Sequence, residues 1–345
     1  MTRVVVCCGV GGVGKTTTSA ALGLRLATRG ARVCVLTIDP ARRLADALGV
    51  QLGHEPSPVS LEAEGTLHAL MLDRKATWDG IIRRFAPDKD TAESLLANRY
   101  YRAVSTRLGG SQEYMAMEKL YELVESGTWD VVVVDTPPTQ HALDFFKAPD
   151  RIHRLLDRSV LGILIEPGRG LMQSATRRVV KVIHRMAGER VIGDIAEFFT
   201  LFSGLSSGFR QRSKAVAELL ASPRSTYWLV TTASAPARAD ALSFLGQLSE
   251  RKLALTGIIV NRFVAEPATT AVTRPTSIDV SDWAAWKPAI EDLLSQQRTA
   301  AQHHTAAMTE MACHTDATLH PVPDLGRAIA DIPGLLALAR ELPDV

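Results

Sequence analysis

The chain has 345 residues, 46% hydrophobic and 22% charged, the balance of a soluble globular protein with a sizeable core. A formal net charge of +2 gives no electrostatic ground for binding nucleic acid or a membrane. Cys7, Cys8, Cys34 and Cys313 form no CxxC pair and no disulfide-like framework, and the first three sit in apolar runs, which disfavours metal binding by them.

The opening apolar run leads directly into Gly14-Lys15-Thr16 and has little positive charge before it, so it reads as a strand and loop, not a secretory leader. No uncharged apolar run approaches the roughly 18 residues of a membrane helix, and a cytoplasmic protein is expected. Short apolar runs then alternate with longer helical patterns. Strands are predicted at Val4–Cys8, Arg32–Ile38, Leu67–Leu72, Val131–Val134, Tyr227–Thr231, Gly257–Val260 and Leu319–Val322. They are continuously apolar instead of alternating, as strands covered on both faces are. The fold class predicted is α/β, a doubly wound, mostly parallel sheet.

The first helix is predicted from Lys15 to Arg29, with Gly30 at its C-terminal end. Helical patterns over 76–126 and 150–221 interrupt the alternation. They predict a helical subdomain inserted in a nucleotide-binding core built from 1–75, 127–149 and 222–345. Ala265–Ser281 reads as a loop, followed by a helix from Lys287 to Ala312 and a last helix near Asp331. Trp283 and Trp286, at the loop–helix junction, read as packing anchors.

Gly9-Val10-Gly11-Gly12-Val13-Gly14-Lys15-Thr16 fits G-x-x-x-x-G-K-[ST] and lies between a predicted strand and a predicted helix. Glycines let successive backbone N–H groups turn inward as an anion nest, and the helix N-terminus adds its dipole. Gly9, Gly11, Gly12, Val13, Gly14, Lys15, Thr16 and Thr17 are therefore candidate contacts to ATP. Lys15 is expected to reach the β- and γ-phosphates, and Thr16 to offer its hydroxyl to Mg²⁺. The strand ending in Asp135 supplies a second candidate magnesium residue, acting through water or directly. Asp39, leaving the next strand before Pro40 and Ala41, has two open readings. It positions or deprotonates the attacking water, or it caps the helix Ala41–Leu48. Asn261 ends a strand where it can meet a purine edge, and the following Arg262-Phe263-Val264 lacks the Asp of the guanine-reading N-K-x-D pattern, which favours adenine.

Four separated segments carry a family resemblance: the glycine-rich loop, Asp39-Pro40-Ala41, Asp135-Thr136-Pro137-Pro138-Thr139 with His141, and Asn261. Together they resemble the arsenite-pump and tail-anchored-protein-targeting ATPases, of the MinD-like, deviant Walker A branch of P-loop proteins. Gly110–Lys119 and Ala142–Phe146 are similar to the actinobacterial subgroup. The resemblance implies a dimer that sandwiches nucleotide, with Asp39 in a first switch positioning water and Asp135–His141 in a second. It implies adenine held by Asn261 and the Pro321–Leu325 loop, with Arg262 and Pro323 as candidate contacts, and a helical output that responds to the γ-phosphate.

Three departures stand out. Val10 occupies the position of the family's signature lysine, which reaches across the dimer in relatives; either a homodimer works without it, or a lysine-bearing paralogue completes a heterodimer. Gln140 replaces a glycine. The zinc-binding and metalloid-binding cysteines are missing, so arsenite transport is disfavoured.

Arg151, Arg154, Arg158, Arg169, Arg177, Arg178, Lys181, Arg185 and Arg190 make one stretch basic, a solvated face or a contact for an acidic partner or anionic lipid. Ile195, Phe198, Phe199, Leu201, Phe202, Leu205 and Phe209 form an apolar stripe that is either core or a groove for an unidentified protein client. The expected function is an ATP-hydrolysing dimeric switch. Its competitors are a non-hydrolysing ATP-binding regulatory subunit and a targeting chaperone for hydrophobic membrane segments.

Overall fold

The computed structural model describes residues 1–98, 101, 111–137, 206–250, 255–268 and 272–345. The apolar runs form strands β1 (Arg3–Cys8), β2 (Arg32–Thr37), β3 (Ser57–Val59), β4 (Thr66–Met71), β5 (Val131–Asp135), β6 (Ser225–Thr232), β7 (Gly257–Phe263) and β8 (Thr318–Pro323). They make one sheet in the order β3-β4-β2-β5-β1-β6-β7-β8. Only β3 runs antiparallel to its neighbour; every other pairing is parallel.

Each predicted strand is present, with ends moved by one to three residues. The short β3 escaped the sequence reading because its three residues include Pro58 and form no apolar run. As the antiparallel edge strand it is where a proline, lacking an N–H for the ladder, is tolerated.

Helices cover both faces, which explains the continuous apolar strands. Successive side chains of a strand point to opposite faces. Val4, Val6 and Cys8 of β1 join Leu36, Val132 and Val134 in one buried cluster, while Val5 and Cys7 join Val33, Val35, Val131 and Val133 in the other. The second face is closed by α1 (Lys15–Thr28), α2 (Arg43–Leu48) and α9 (Ile332–Glu341). The first carries α3 (Arg74–Phe85), α4 (Lys89–Ala97), α5 (Ser111–Glu125), α6 (Ser206–Ala221), α7 (Ala235–Glu250) and α8 (Val280–Ala312).

Asp73 and Asp88 start α3 and α4, each side chain accepting from a backbone N–H three residues on. In α5, Tyr114, Met115, Ala116 and Met117 are fully buried, and Trp78, Ile81 and Leu95 share their cluster with the sheet residues Val132 and Val134. Between α5 and α6, Arg212 lies buried against Glu118 at 2.5 Å, also pairs with Glu125, and covers the Tyr121 ring at 4.1 Å.

Two expectations at α8 need correction. The helix begins at Val280, seven residues before the predicted start at Lys287, because Pro288 lies inside it instead of in its first turn. Trp286 is consequently on an exposed stretch of helix, 66% accessible, and is no packing anchor; Trp283 is half-buried. Cys7, Cys8 and Cys34 are buried as expected, and Cys313 is exposed. No group of metal-ligating His, Cys, Asp and Glu side chains occurs among the described residues. Among the same residues no helix is long and apolar enough to cross a membrane.

Candidate nucleotide-binding site

Parallel strands end together, so β1, β2, β5, β6 and β7 deliver their carboxyl-terminal residues to one edge of the sheet, where open α/β sheets bind ligands. The glycine-rich loop leaves β1 at that edge and passes into α1. Gly14 occupies the N-cap position of α1 at φ 96°, and a Cβ there would stand 2.4 Å from Asn261 Nδ2. Gly9 has φ 152° and no room for a side chain, since a Cβ would meet the Val230 carbonyl oxygen at 2.2 Å. The loop is thus packed closely against residues of both β6 and β7.

Lys15 opens α1, and its Nζ donates to the Val10 carbonyl oxygen at 2.7 Å. The side chain is buried, and burial holds its pKa below the ordinary lysine value, opposed by the nearby Asp135 carboxylate. The ammonium therefore sits over the loop as a poorly solvated cation. Val10 itself packs on the apolar cluster beneath α1.

At the end of β5, Asp135 is completely buried. Thr16 and Thr37 donate their hydroxyls to the same oxygen, Oδ2, at 2.8 and 2.9 Å. The other oxygen, Oδ1, is buried and has no hydrogen-bond partner. Burial pushes the Asp135 pKa up to about 6, against the two hydroxyl hydrogen bonds and Lys15, which lower it. Thr37 was missed in the sequence. Its only signal is register, since parallel pairing of β2 with β5 sets it opposite Asp135.

Asp39 follows β2 and is part-exposed. Its Oδ1 accepts from the Ala41 N–H at 2.9 Å, and Arg43 Nη1 stands 3.6 Å from its Oδ2. The helix after it begins at Arg43 with Arg42 at the cap, so Asp39 closes a local turn and is not the helix N-cap. Its own N–H points at the Thr37 hydroxyl, 3.3 Å away.

Asn261 is buried at the end of β7, donating from Nδ2 to the Val13 carbonyl oxygen at 2.8 Å and accepting the Arg262 N–H at 3.0 Å. Arg262 takes the left-handed conformation at φ 54°, an uncommon one for a residue with a side chain. Gly14, Thr17, Asn261, Arg262 and Pro323 line a single cavity of about 480 Å³, joined by Leu325 and Arg327. That size falls in the range of small-ligand pockets. The loop, Asp39, Asp135 and the Asn261 cavity therefore share one edge of the sheet. Pro138, Thr139, Gln140, His141, Ala142–Phe146, the arginine-rich stretch and the Ile195–Phe209 side chains lie outside the described residues.

The sheet order, the loop between β1 and α1, and the buried carboxylate beside it define the P-loop nucleotide-binding class. The sequence model of the anion-transporting ATPase family matches residues 2–287, and the chain belongs to that family. It is 31% identical over 156 residues to a putative arsenical pump-driving ATPase of Chlorobaculum tepidum, covering 44% of this chain and 36% of the relative. It is 28% identical over 193 residues to the ATPase GET3 of Malassezia globosa, covering 54% of this chain and 56% of that one. A third relative, an ATPase ASNA1 homolog of Babesia bovis, is 34% identical over 149 residues, 43% of this chain and 39% of its own. The matched stretches thus span about a third to just over half of these relatives.

Proposed function

We propose that this chain binds MgATP at the P-loop edge and hydrolyses it, working as one half of a dimeric nucleotide-dependent switch. The supporting observation is the division of labour on Asp135. One oxygen is occupied by two hydroxyl donors, and the other is buried with no partner. An unsatisfied buried carboxylate oxygen is costly in water-free surroundings and calls for a cation or an ordered water. With the Thr16 hydroxyl beside it, the donor set is all oxygen, which suits Mg²⁺. Thr16 and Asp135 would hold the ion, which neutralises charge on the β- and γ-phosphates.

The chain's own residues do the rest. Backbone N–H groups of the Gly11–Thr16 segment and the α1 dipole hold the phosphates. Lys15 exchanges its Val10 carbonyl partner for phosphate oxygens, a favourable trade for a poorly solvated cation. Asp39 orients the attacking water and accepts its proton, with Arg43 beside it. Thr17, Asn261, Arg262 and Pro323 form the wall against which adenine rests. The segments 76–126 and 150–221 act as the output, offering a client or partner a surface that responds to the nucleotide.

Val10 supports an asymmetric pairing. A valine in this loop supplies no charge to a partner's nucleotide, so a paralogue bearing lysine would complete this chain's site without being served in return. The same valine supports the second reading, a regulatory subunit that binds ATP without turnover.

Titration of ATP with and without Mg²⁺ tests the site. Wild type should bind MgATP at least tenfold more tightly than ATP in chelator, and Asp135→Asn should remove that difference. Equal affinities in wild type would refute the assignment.

A further inference from the structure

We infer that Gln112 is a positioning residue for hydrolysis, holding Asp39 in place from helix α5. The inference rests on the reading of Asp39 as the residue that orients water. Gln112 lies in the first turn of α5, and its Nε2 donates to the Ile38 carbonyl oxygen at 2.9 Å, joining residues 74 apart in sequence.

The peptide unit between Ile38 and Asp39 is pinned at both ends. Its carbonyl is held by Gln112, and its N–H faces the Thr37 hydroxyl at 3.3 Å. Thr37 in turn donates to Asp135. The preceding Ile38 N–H extends the sheet ladder to the Asp135 carbonyl oxygen at 3.1 Å. Pro40 restricts Asp39 to extended conformations from the other side. These contacts fix the direction in which the Asp39 side chain leaves the backbone.

Of the two hydrogen bonds on this peptide unit, the one from Gln112 comes from outside the sheet, and its base is rigid. The residues that follow it, Tyr114 to Met117, are fully buried, and Glu118 is paired with Arg212. A donor mounted on so fixed a helix can hold a loop within the tolerance that water attack requires. An unheld carbonyl would let the peptide unit rotate, and Asp39 with it, while leaving the P-loop untouched.

The test compares wild type, Gln112→Ala, Asp39→Asn and the double variant for phosphate release, MgATP affinity and hydrogen exchange over residues 37–43. Loss of one hydrogen bond predicts a five- to tenfold lower kcat for Gln112→Ala, with MgATP affinity changed less than about twofold. On the Asp39→Asn background the same substitution should lower kcat no further, and exchange over 37–43 should speed up in Gln112→Ala. A kcat equal to wild type, equal fold-losses on both backgrounds, or unchanged exchange would overturn the inference. Wild-type turnover by Asp39→Asn would also overturn it by removing the reading beneath it, and faster exchange in Gln112→Ala would then mark Asp39, and not the tie, as the failed step.

Discussion

Thr16 Oγ1 lies 2.8 Å from Asp135 Oδ2, a contact between residues 119 apart that joins the helix after β1 to the end of β5. Thr37, from β2, shares the same oxygen. Parallel register brings this about: Cys7 of β1 and Thr37 of β2 both stand opposite Asp135. Three strands therefore meet at one carboxylate, and the chemistry proposed for the edge depends on that meeting.

Thr16→Ala removes a hydroxyl that both satisfies Asp135 and would meet the metal. Phosphate release should fall on the order of 100-fold, the usual cost of losing a group that stabilises transition-state charge. Thr16→Ser keeps the hydroxyl and should stay within a few-fold of wild type. Steady-state phosphate release of the two variants, measured side by side, checks the difference.

The Asp135 carboxyl gives a pH dependence with a definite sign. Its pKa is about 6 in the folded, metal-free protein, against 3.8 for the unperturbed group. Between those values the folded state holds more protons than the unfolded one. Its contribution to stability is full below pH 4 and is lost as pH rises through 6, by on the order of 3 kcal/mol at most. Asp135→Asn should remove this component, so the wild-type minus variant difference in unfolding free energy should decline from pH 4 to 7 in chelator. Denaturant unfolding at several pH values measures it.

Arg212 is buried between α5 and α6 with Glu118, whose pKa burial raises even though Arg212 opposes the rise. Arg212→Ala leaves Glu118 an uncompensated buried charge and should cost about 3–5 kcal/mol. Pairing Arg212→Met with Glu118→Gln should recover much of that loss. Thermal unfolding of the single and double variants checks the ranking.

Much of the fold could be read from sequence because apolar strands and a spaced motif are local signals. The strands covered on both faces were visible as unbroken runs such as Val131–Val134. Gly9 to Thr16 carried the phosphate loop in eight adjacent residues. Less visible was everything set by register or by helix packing. Thr37 looks like any strand-end threonine until β2 is laid beside β5. Gln112 looks like a helix surface residue until α5 is placed against Ile38. The start of α8 was not legible either: the helix begins at Val280 and carries Pro288, a residue that favours a helix's first turn, eight residues past its first residue.

Val10→Lys tests the asymmetric pairing. A lysine at this position should raise phosphate release by the isolated chain tenfold or more, because charge supplied across a dimer acts on the transition state. No increase at protein concentrations where the chain is dimeric would count against a missing lysine as the limit on turnover. Sedimentation of the same samples establishes the concentration range.

The most direct measurement is phosphate release from MgATP over a range of protein concentration, beside Lys15→Ala and Asp39→Asn. The account predicts release that rises more steeply than protein concentration and falls sharply in both variants, or that appears only when a lysine-bearing partner is added. Tight MgATP binding with no phosphate released, alone or with such a partner, would contradict hydrolysis and leave ATP-binding regulation as the function.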